Sequence, residues 1–150
     1  MPLRLKTPMP SLEGMTEWIH GEPDLEALQG QPVLVYFWAV SCHICHDNMP
    51  KLQTWRDTYV PKGLKMISIH CPRMKADTNI EKVKTSVDEC GIVEACGIDN
   101  MHRVKKAFDN DFWPAYFLFD KEGNLKRRAA GNAGIGMLQP ILEEMFAEKL

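Results

Sequence analysis

The chain has 150 residues, 45% of them hydrophobic and 25% charged, with a net charge of −2 at pH 7. That length suits a single domain over 1–150 with a sizeable core, and the near-neutral balance excludes a nucleic-acid or acidic-membrane surface. Five cysteines cannot all pair within one chain, which suits a reducing compartment.

The start, Met1-Pro2-Leu3-Arg4-Leu5-Lys6-Thr7-Pro8, has no apolar stretch of the kind a signal peptide needs, and no later run could span a bilayer. The expectation is a cytoplasmic protein. Residues 1–20, with Pro2, Pro8 and Pro10, read as an extended lead-in with a short strand pair near Trp18-Ile19. Asp24 can cap a short helix over Leu25–Leu28 that Gly30 ends, and Pro32 then opens a strand.

Val33, Leu34, Val35, Tyr36, Phe37 and Trp38 carry no period-2 polarity, the pattern of a central strand covered on both faces. From Cys45 the apolar residues recur as Cys45, Met49, Leu52, Trp55 and Tyr59, one face of a helix. Cys42 therefore falls at a helix N-terminus, beside the carboxyl end of the strand where open α/β sheets bind ligands. Unpaired backbone N–H groups and the helix dipole lower a cysteine's pKa there from about 8.5. Cys45, one turn inward, can close a small disulfide ring with Cys42 and expel whatever Cys42 has attacked. Pro50 lacks an N–H for the His46 carbonyl, so the helix should bend one turn past Cys45.

Two cysteines separated by two residues also form half of a zinc site. No second such pair exists, and Cys71, Cys90, Cys96, His70 and His102 have none of the usual zinc spacings, so the redox reading stands first.

A second strand is expected over 64–71 after the turn Lys62-Gly63, then a helix between Asp77 and Gly91 opened by a capping box of Thr78 with Glu81. Ile80, Val83, Val87 and Cys90 share its apolar face, which makes Cys90 a small core residue, as Cys96 is in the apolar segment Ile92 to Ile98. His102 to Phe108 reads as a further helix with Val104 and Phe108 inward and Lys105 and Lys106 outward. A strand follows over 113–119, then the turn 120–124 and a returning strand from Leu125, whose Lys126-Arg127-Arg128 read as a solvated edge. Gly131, Gly134 and Gly136 loosen a loop before a last helix carrying Leu138, Ile141, Leu142 and Met145 on one face. Strands and helices alternate, an α/β pattern.

The segment FWAVSCHICHDNMP resembles the active-site segment of thioredoxin-like proteins of the TlpA and DipZ-like, AhpC/TSA-related kind. Glu17-Trp18-Ile19, Ile98-Asp99-Asn100 and Phe112-Trp113-Pro114 recur in those domains in the same order, so the resemblance runs from about Pro10 to the C-terminus. It implies a thioredoxin-like fold: a central mixed β-sheet flanked by helices, an N-terminal extension, and an extra helix and strand that plain thioredoxin lacks. It also implies thiol-disulfide exchange without metal or organic cofactor, on disulfide-bearing protein substrates, with electrons from an upstream dithiol reductant, by a monomer. Cys42 would attack and Cys45 resolve. Trp38, Trp113 and Pro114 would contact the substrate, Pro114 as a cis proline against the disulfide.

The chain departs from the family where an acid usually handles the second cysteine's proton: thioredoxin has aspartate at the position of Tyr36, and TlpA-like reductants often have glutamate at that of Asn48. That role would then fall to water, to His43 or His46, or to a group not identified from the sequence. An imidazolium from His43 or His46 would also favour the Cys42 thiolate, although His46 can point away. Two rivals remain. A peroxiredoxin-like peroxidase needs a hydroxyl three residues before its reactive cysteine, where this chain has Ala39; a copper or zinc carrier would use Cys42, Cys45 and His70 or His102.

Overall fold

The structure is a computed structural model and describes residues 3–147. In chain order its elements are β1 (Glu17–Ile19), α1 (Leu25–Leu28), β2 (Val33–Trp38), α2 (His43–Tyr59), β3 (Lys65–His70), α3 (Ile80–Cys90), β4 (Cys96–Ile98), α4 (Arg103–Ala107), β5 (Ala115–Phe119), β6 (Leu125–Ala130) and α5 (Gly134–Met145). Turns of 3₁₀ helix at Val60–Lys62 and Lys75–Thr78 precede β3 and α3 respectively.

The strands form one mixed sheet in the order β1-β4-β3-β2-β5-β6. β2, β3 and β4 are parallel, which requires crossovers, and α2 and α3 supply them. β1, β5 and β6 pair antiparallel. The strand pair expected near Trp18-Ile19 is a single edge strand, β1, that pairs with β4 with Trp18 opposite Gly97. Earlier in the lead-in, Lys6 N–H donates to the Leu125 carbonyl (2.8 Å) and Leu125 N–H to that of Thr7 (2.7 Å), which covers part of the β6 edge. Met1 and Pro2 of the lead-in lie outside the described residues. Lys126, Arg127 and Arg128 are exposed, as a solvated edge strand requires.

All six residues of β2 are buried. Leu34, Tyr36 and Trp38 enter a core layer with Met49, Leu52 and Trp55 of α2, Val83 and Val87 of α3, and Leu138 and Leu142 of α5. Val33, Val35 and Phe37 enter the opposite layer with Val104 of α4 and Phe108. Phe108 meets Phe37 and Phe117 edge-on, with ring centroids 5.3 and 5.1 Å away, the arrangement the ring quadrupoles favour. Burial on both faces explains the missing period-2 polarity.

Two local expectations are corrected. Asn79, not Thr78, caps α3: its Oδ1 accepts from Lys82 N–H at 3.2 Å, while the Thr78 hydroxyl, still in the 3₁₀ turn, donates back to the Lys75 carbonyl at 2.7 Å. Gly134 and Gly136 are not loop residues but the first turn of α5. A Cβ at Gly134 would lie 3.0 Å from the Tyr116 ring, so its glycine serves close packing of helix on sheet.

Candidate active site

The apolar run of β2 ends at Trp38, and after Ala39, Val40 and Ser41 the chain turns into α2 with Cys42 as its N-cap, in extended conformation (φ −90°, ψ 102°). Cys42 Sγ accepts from Cys45 N–H at 3.2 Å, one of the backbone donors a helix start leaves unpaired. The two cysteines form a disulfide with Cα atoms 5.2 Å apart. Both are about 1% exposed in this state. Pro50 lies inside α2, as its place in the sequence requires.

Two histidines grip the loop ahead of Cys42. Val40 N–H donates to His70 Nε2 at 3.1 Å, and the Val40 carbonyl lies 2.8 Å from His46 Nε2. A carbonyl can only accept, so His46 donates to it from Nε2, and in the neutral ring Nδ1 accepts from the Cys90 thiol, 3.5 Å away. Both His46 ring nitrogens are thus turned to Val40 and Cys90 and not to the cysteine pair, and Cys90 is half-buried beside His46, not a simple core residue. Cys90 ends α3, and the turn that places it there sets its side chain against α2. His70 carries no proton on Nε2, and burial pushes its pKa down to about 4. Trp38 lies edge-on to both imidazoles, 4.8 Å from His70 and 6.2 Å from His46, with its indole N–H on Ser68 Oγ at 2.7 Å. His43 is 89% exposed and lies 3.3 Å from Asp47.

The Trp113–Pro114 peptide bond is cis. Phe37 pairs with Ala115, so Pro114 lies at the carboxyl end of β2, where the cysteine loop begins. Asn110 braces the segment: its Oδ1 accepts from Phe112 N–H (3.1 Å) and its Nδ2 donates to the Phe112 carbonyl (3.0 Å). The Trp113 indole N–H donates to the Cys71 carbonyl at 2.8 Å. Lys105 Nζ stands 5.8 Å from its ring centroid, a cation–π contact.

A carboxylate does reach the position of Tyr36, from elsewhere in the chain. The Tyr36 hydroxyl donates to Glu94, whose carboxylate also accepts from Arg56 Nε at 2.7 Å and Nη2 at 2.9 Å. Burial, reinforced by the Glu94 charge, holds Tyr36 well above its ordinary pKa, so it stays neutral. The signal for Glu94 was a lone acid within the apolar segment 92–98. Asn48 is buried with its amide facing the Tyr116 hydroxyl, and its Nδ2 has no hydrogen-bond partner.

The other thiols are poorly reactive. Burial pushes Cys71 up to about 12 and Cys96 up to about 11, and raises Cys90 as well. His102 Nε2 faces the Pro72 carbonyl at 2.9 Å and His70 Nε2 takes Val40 N–H, so neither turns these nitrogens toward the cysteine pair. Among the described residues no three His, Cys, Asp or Glu side chains converge to hold a metal ion.

Comparison with known proteins gives a consistent result. The chain matches the AhpC/TSA family over residues 6–128. It is 37% identical over 147 residues to thiol-disulfide oxidoreductase YkuV of Bacillus subtilis (strain 168), covering 97% of this chain and 99% of that protein. It is 28% identical over 141 residues to protein DipZ of Mycobacterium tuberculosis, covering 91% of this chain but 20% of that much longer protein. Among solved structures, a thioredoxin-like protein in its oxidised form superposes with a TM-score of 0.88 at 36% identity, over 99% of this chain and all of that one.

Proposed function

The chain belongs to the AhpC/TSA family, and we propose that in its thiol-disulfide exchange Cys42 is the attacking thiol and Cys45 the resolving one. The protein is a thiol-disulfide oxidoreductase of thioredoxin-like fold, acting on protein thiols and disulfides. The observation that carries the assignment of roles is the placement of Cys42 as N-cap of a 17-residue helix, with Cys45 one turn inside it. A thiolate on Cys42 meets the positive end of the helix, attacks a partner disulfide and forms a mixed disulfide, expelling one partner thiolate. Cys45 then attacks the Cys42 sulfur, closing the ring and releasing the second partner thiolate. Two electrons pass to the partner, and an upstream dithiol reductant restores the pair.

Trp113 and Pro114 form the substrate-docking side in this reading, supported by their place at the carboxyl end of β2 beside the cysteine loop; Trp38, expected there as well, is 1% exposed and is a core side chain instead. His43 tunes Cys42 as an exposed imidazole between the two cysteines in sequence, while His46 acts through its grip on Val40. The protein works as a monomer in the cytoplasm, without metal or organic cofactor. Three free cysteines beside one short disulfide support a reducing compartment, and no described helix is long and apolar enough to cross a membrane.

The test is a Cys45→Ser chain expressed in its host. It should accumulate covalent adducts with cytoplasmic proteins, linked through Cys42 and released by reductant. Adducts absent, or linked through Cys71, Cys90 or Cys96, would contradict the assignment.

A further inference from the structure

Asp77 belongs to the segment inserted between β3 and β4, and nothing in the exchange chemistry described above uses it. The residue is 3% exposed, and its carboxylate accepts four hydrogen bonds. Ser41 N–H reaches Oδ1 at 3.1 Å, and the Ser41 hydroxyl reaches Oδ2 at 2.7 Å. Arg73 N–H and Met74 N–H also reach Oδ2, at 2.9 and 3.3 Å. Arg73 Nη1 adds a longer contact to the Ser41 carbonyl at 3.4 Å. Ser41, the residue immediately before the nucleophile, is thus held at its N–H, its hydroxyl and its carbonyl by residues 73–77.

Among the described residues no basic side chain forms an ion pair with this carboxylate. Burial alone would raise its pKa, but the bonds from Ser41, Arg73 and Met74 outweigh burial and hold it below the usual aspartate range. A buried anion satisfied only by dipoles depends on each of those bonds. It is also badly placed to help a neighbouring thiol ionise, because one anion disfavours another. Its net effect on the cysteine pair must therefore come from fixing geometry and from opposing the Cys42 thiolate.

Both effects favour the disulfide. A loop locked at Ser41 keeps Cys42 at the N-cap, within ring-closing reach of Cys45, which raises the effective concentration of one thiol for the other. A negative charge hydrogen-bonded to the N–H of the residue before Cys42 disfavours a thiolate there. We propose that Asp77 is a positioning residue for Cys42, and that through Ser41 it biases the Cys42–Cys45 pair toward the disulfide and makes the reduced protein a stronger electron donor. The inserted segment then has a function in the reaction: it fastens the cysteine loop at Ser41.

The inference rests on Cys42 and Cys45 being the exchanging pair, and the experiment separates the two claims. Each protein is equilibrated with mixtures of reduced and oxidised glutathione, in which protein dithiol plus one glutathione disulfide gives protein disulfide plus two glutathione thiols. The oxidised fraction is read by mass after acid quench and alkylation. If the unaltered protein forms no Cys42–Cys45 disulfide, the proposed function itself fails.

With that equilibrium in hand, Asp77→Asn keeps the shape but replaces one accepting oxygen by an NH₂, which then faces either the three donors at the Oδ2 place or the Ser41 N–H at the Oδ1 place. It should shift the equilibrium toward the dithiol by about tenfold, equivalent to a potential about 30 mV less negative. Ser41→Ala, which removes only the hydroxyl contact, should shift it the same way by about two- to threefold and serves if Asp77→Asn does not fold. An unchanged equilibrium constant in folded Asp77→Asn, or in Ser41→Ala where that is the only folded variant, overturns the proposal, as does a shift toward the disulfide.

Discussion

Serine in place of Cys42 is expected to lower turnover in disulfide exchange by roughly a thousandfold or more, the scale of effect seen when an attacking nucleophile is removed. The hydroxyl does not ionise near neutral pH and cannot form the mixed disulfide. Cys71 and Cys96 cannot substitute, since burial holds them up to about 12 and about 11, and Cys90 is raised and engaged with His46. Serine in place of Cys45 should behave differently. The first attack proceeds, and the reaction stops after one event with the partner attached to Cys42. Steady-state reduction of a protein disulfide by each variant, with intact mass of the stalled species, checks both. Cys42→Ser turning over at more than a tenth of the unaltered rate would mean that another thiol is the nucleophile.

The second large effect concerns stability and His70. Its imidazole is fully buried and its pKa is pushed down to about 4, against about 6.5 in an unfolded chain. The unfolded chain therefore takes up a proton at this site first as pH falls. The stability tied to the neutral ring is fully present above about pH 6.5 and is lost progressively as pH falls toward 4, reaching roughly 3 kcal/mol by linkage. Asp77, whose pKa lies below the usual aspartate range, titrates below this window. Protonation would also take from Val40 N–H its acceptor and so release the cysteine loop at one end. Urea unfolding midpoints at pH 7 and pH 4.5 measure the effect. His70→Asn, which offers an oxygen to Val40 without titrating, should show a markedly flatter profile over the same interval. Equal slopes in the two proteins would place the acid sensitivity elsewhere.

The parts of the fold and site that were legible share a property: their cause is local. An apolar run without alternation gave β2, a 3.6-residue apolar period gave α2, and two cysteines at the junction gave the redox pair. The cis bond at Pro114 came from resemblance, because nothing in Trp113-Pro114 itself selects that isomer over the common one. What was missed lies in contacts between distant residues. Ser41 meets Asp77 across 36 positions, Val40 meets His70 across 30, Tyr36 meets Glu94 across 58, and His46 meets Cys90 across 44. Spacing along the chain carries no trace of such pairs. Glu94 alone left a mark, as a charge inside an apolar run, and the absence of an acid at the positions of Tyr36 and Asn48 did not mean that none reached the cysteine-bearing face of the sheet. Asn79 in place of Thr78 as the α3 cap is a smaller miss of one residue, caused by a 3₁₀ turn that the periodicity does not distinguish from the helix it precedes.

The central claim, that electrons leave this protein through Cys42 and Cys45, is tested most directly by reacting the fully reduced chain anaerobically with an excess of a disulfide-bonded protein and mapping the products. The account predicts a Cys42–Cys45 disulfide formed in step with one partner disulfide reduced, while Cys71, Cys90 and Cys96 remain alkylatable thiols. Reduction of the partner with Cys42 and Cys45 still free, or oxidation appearing first at one of the other three, would contradict it.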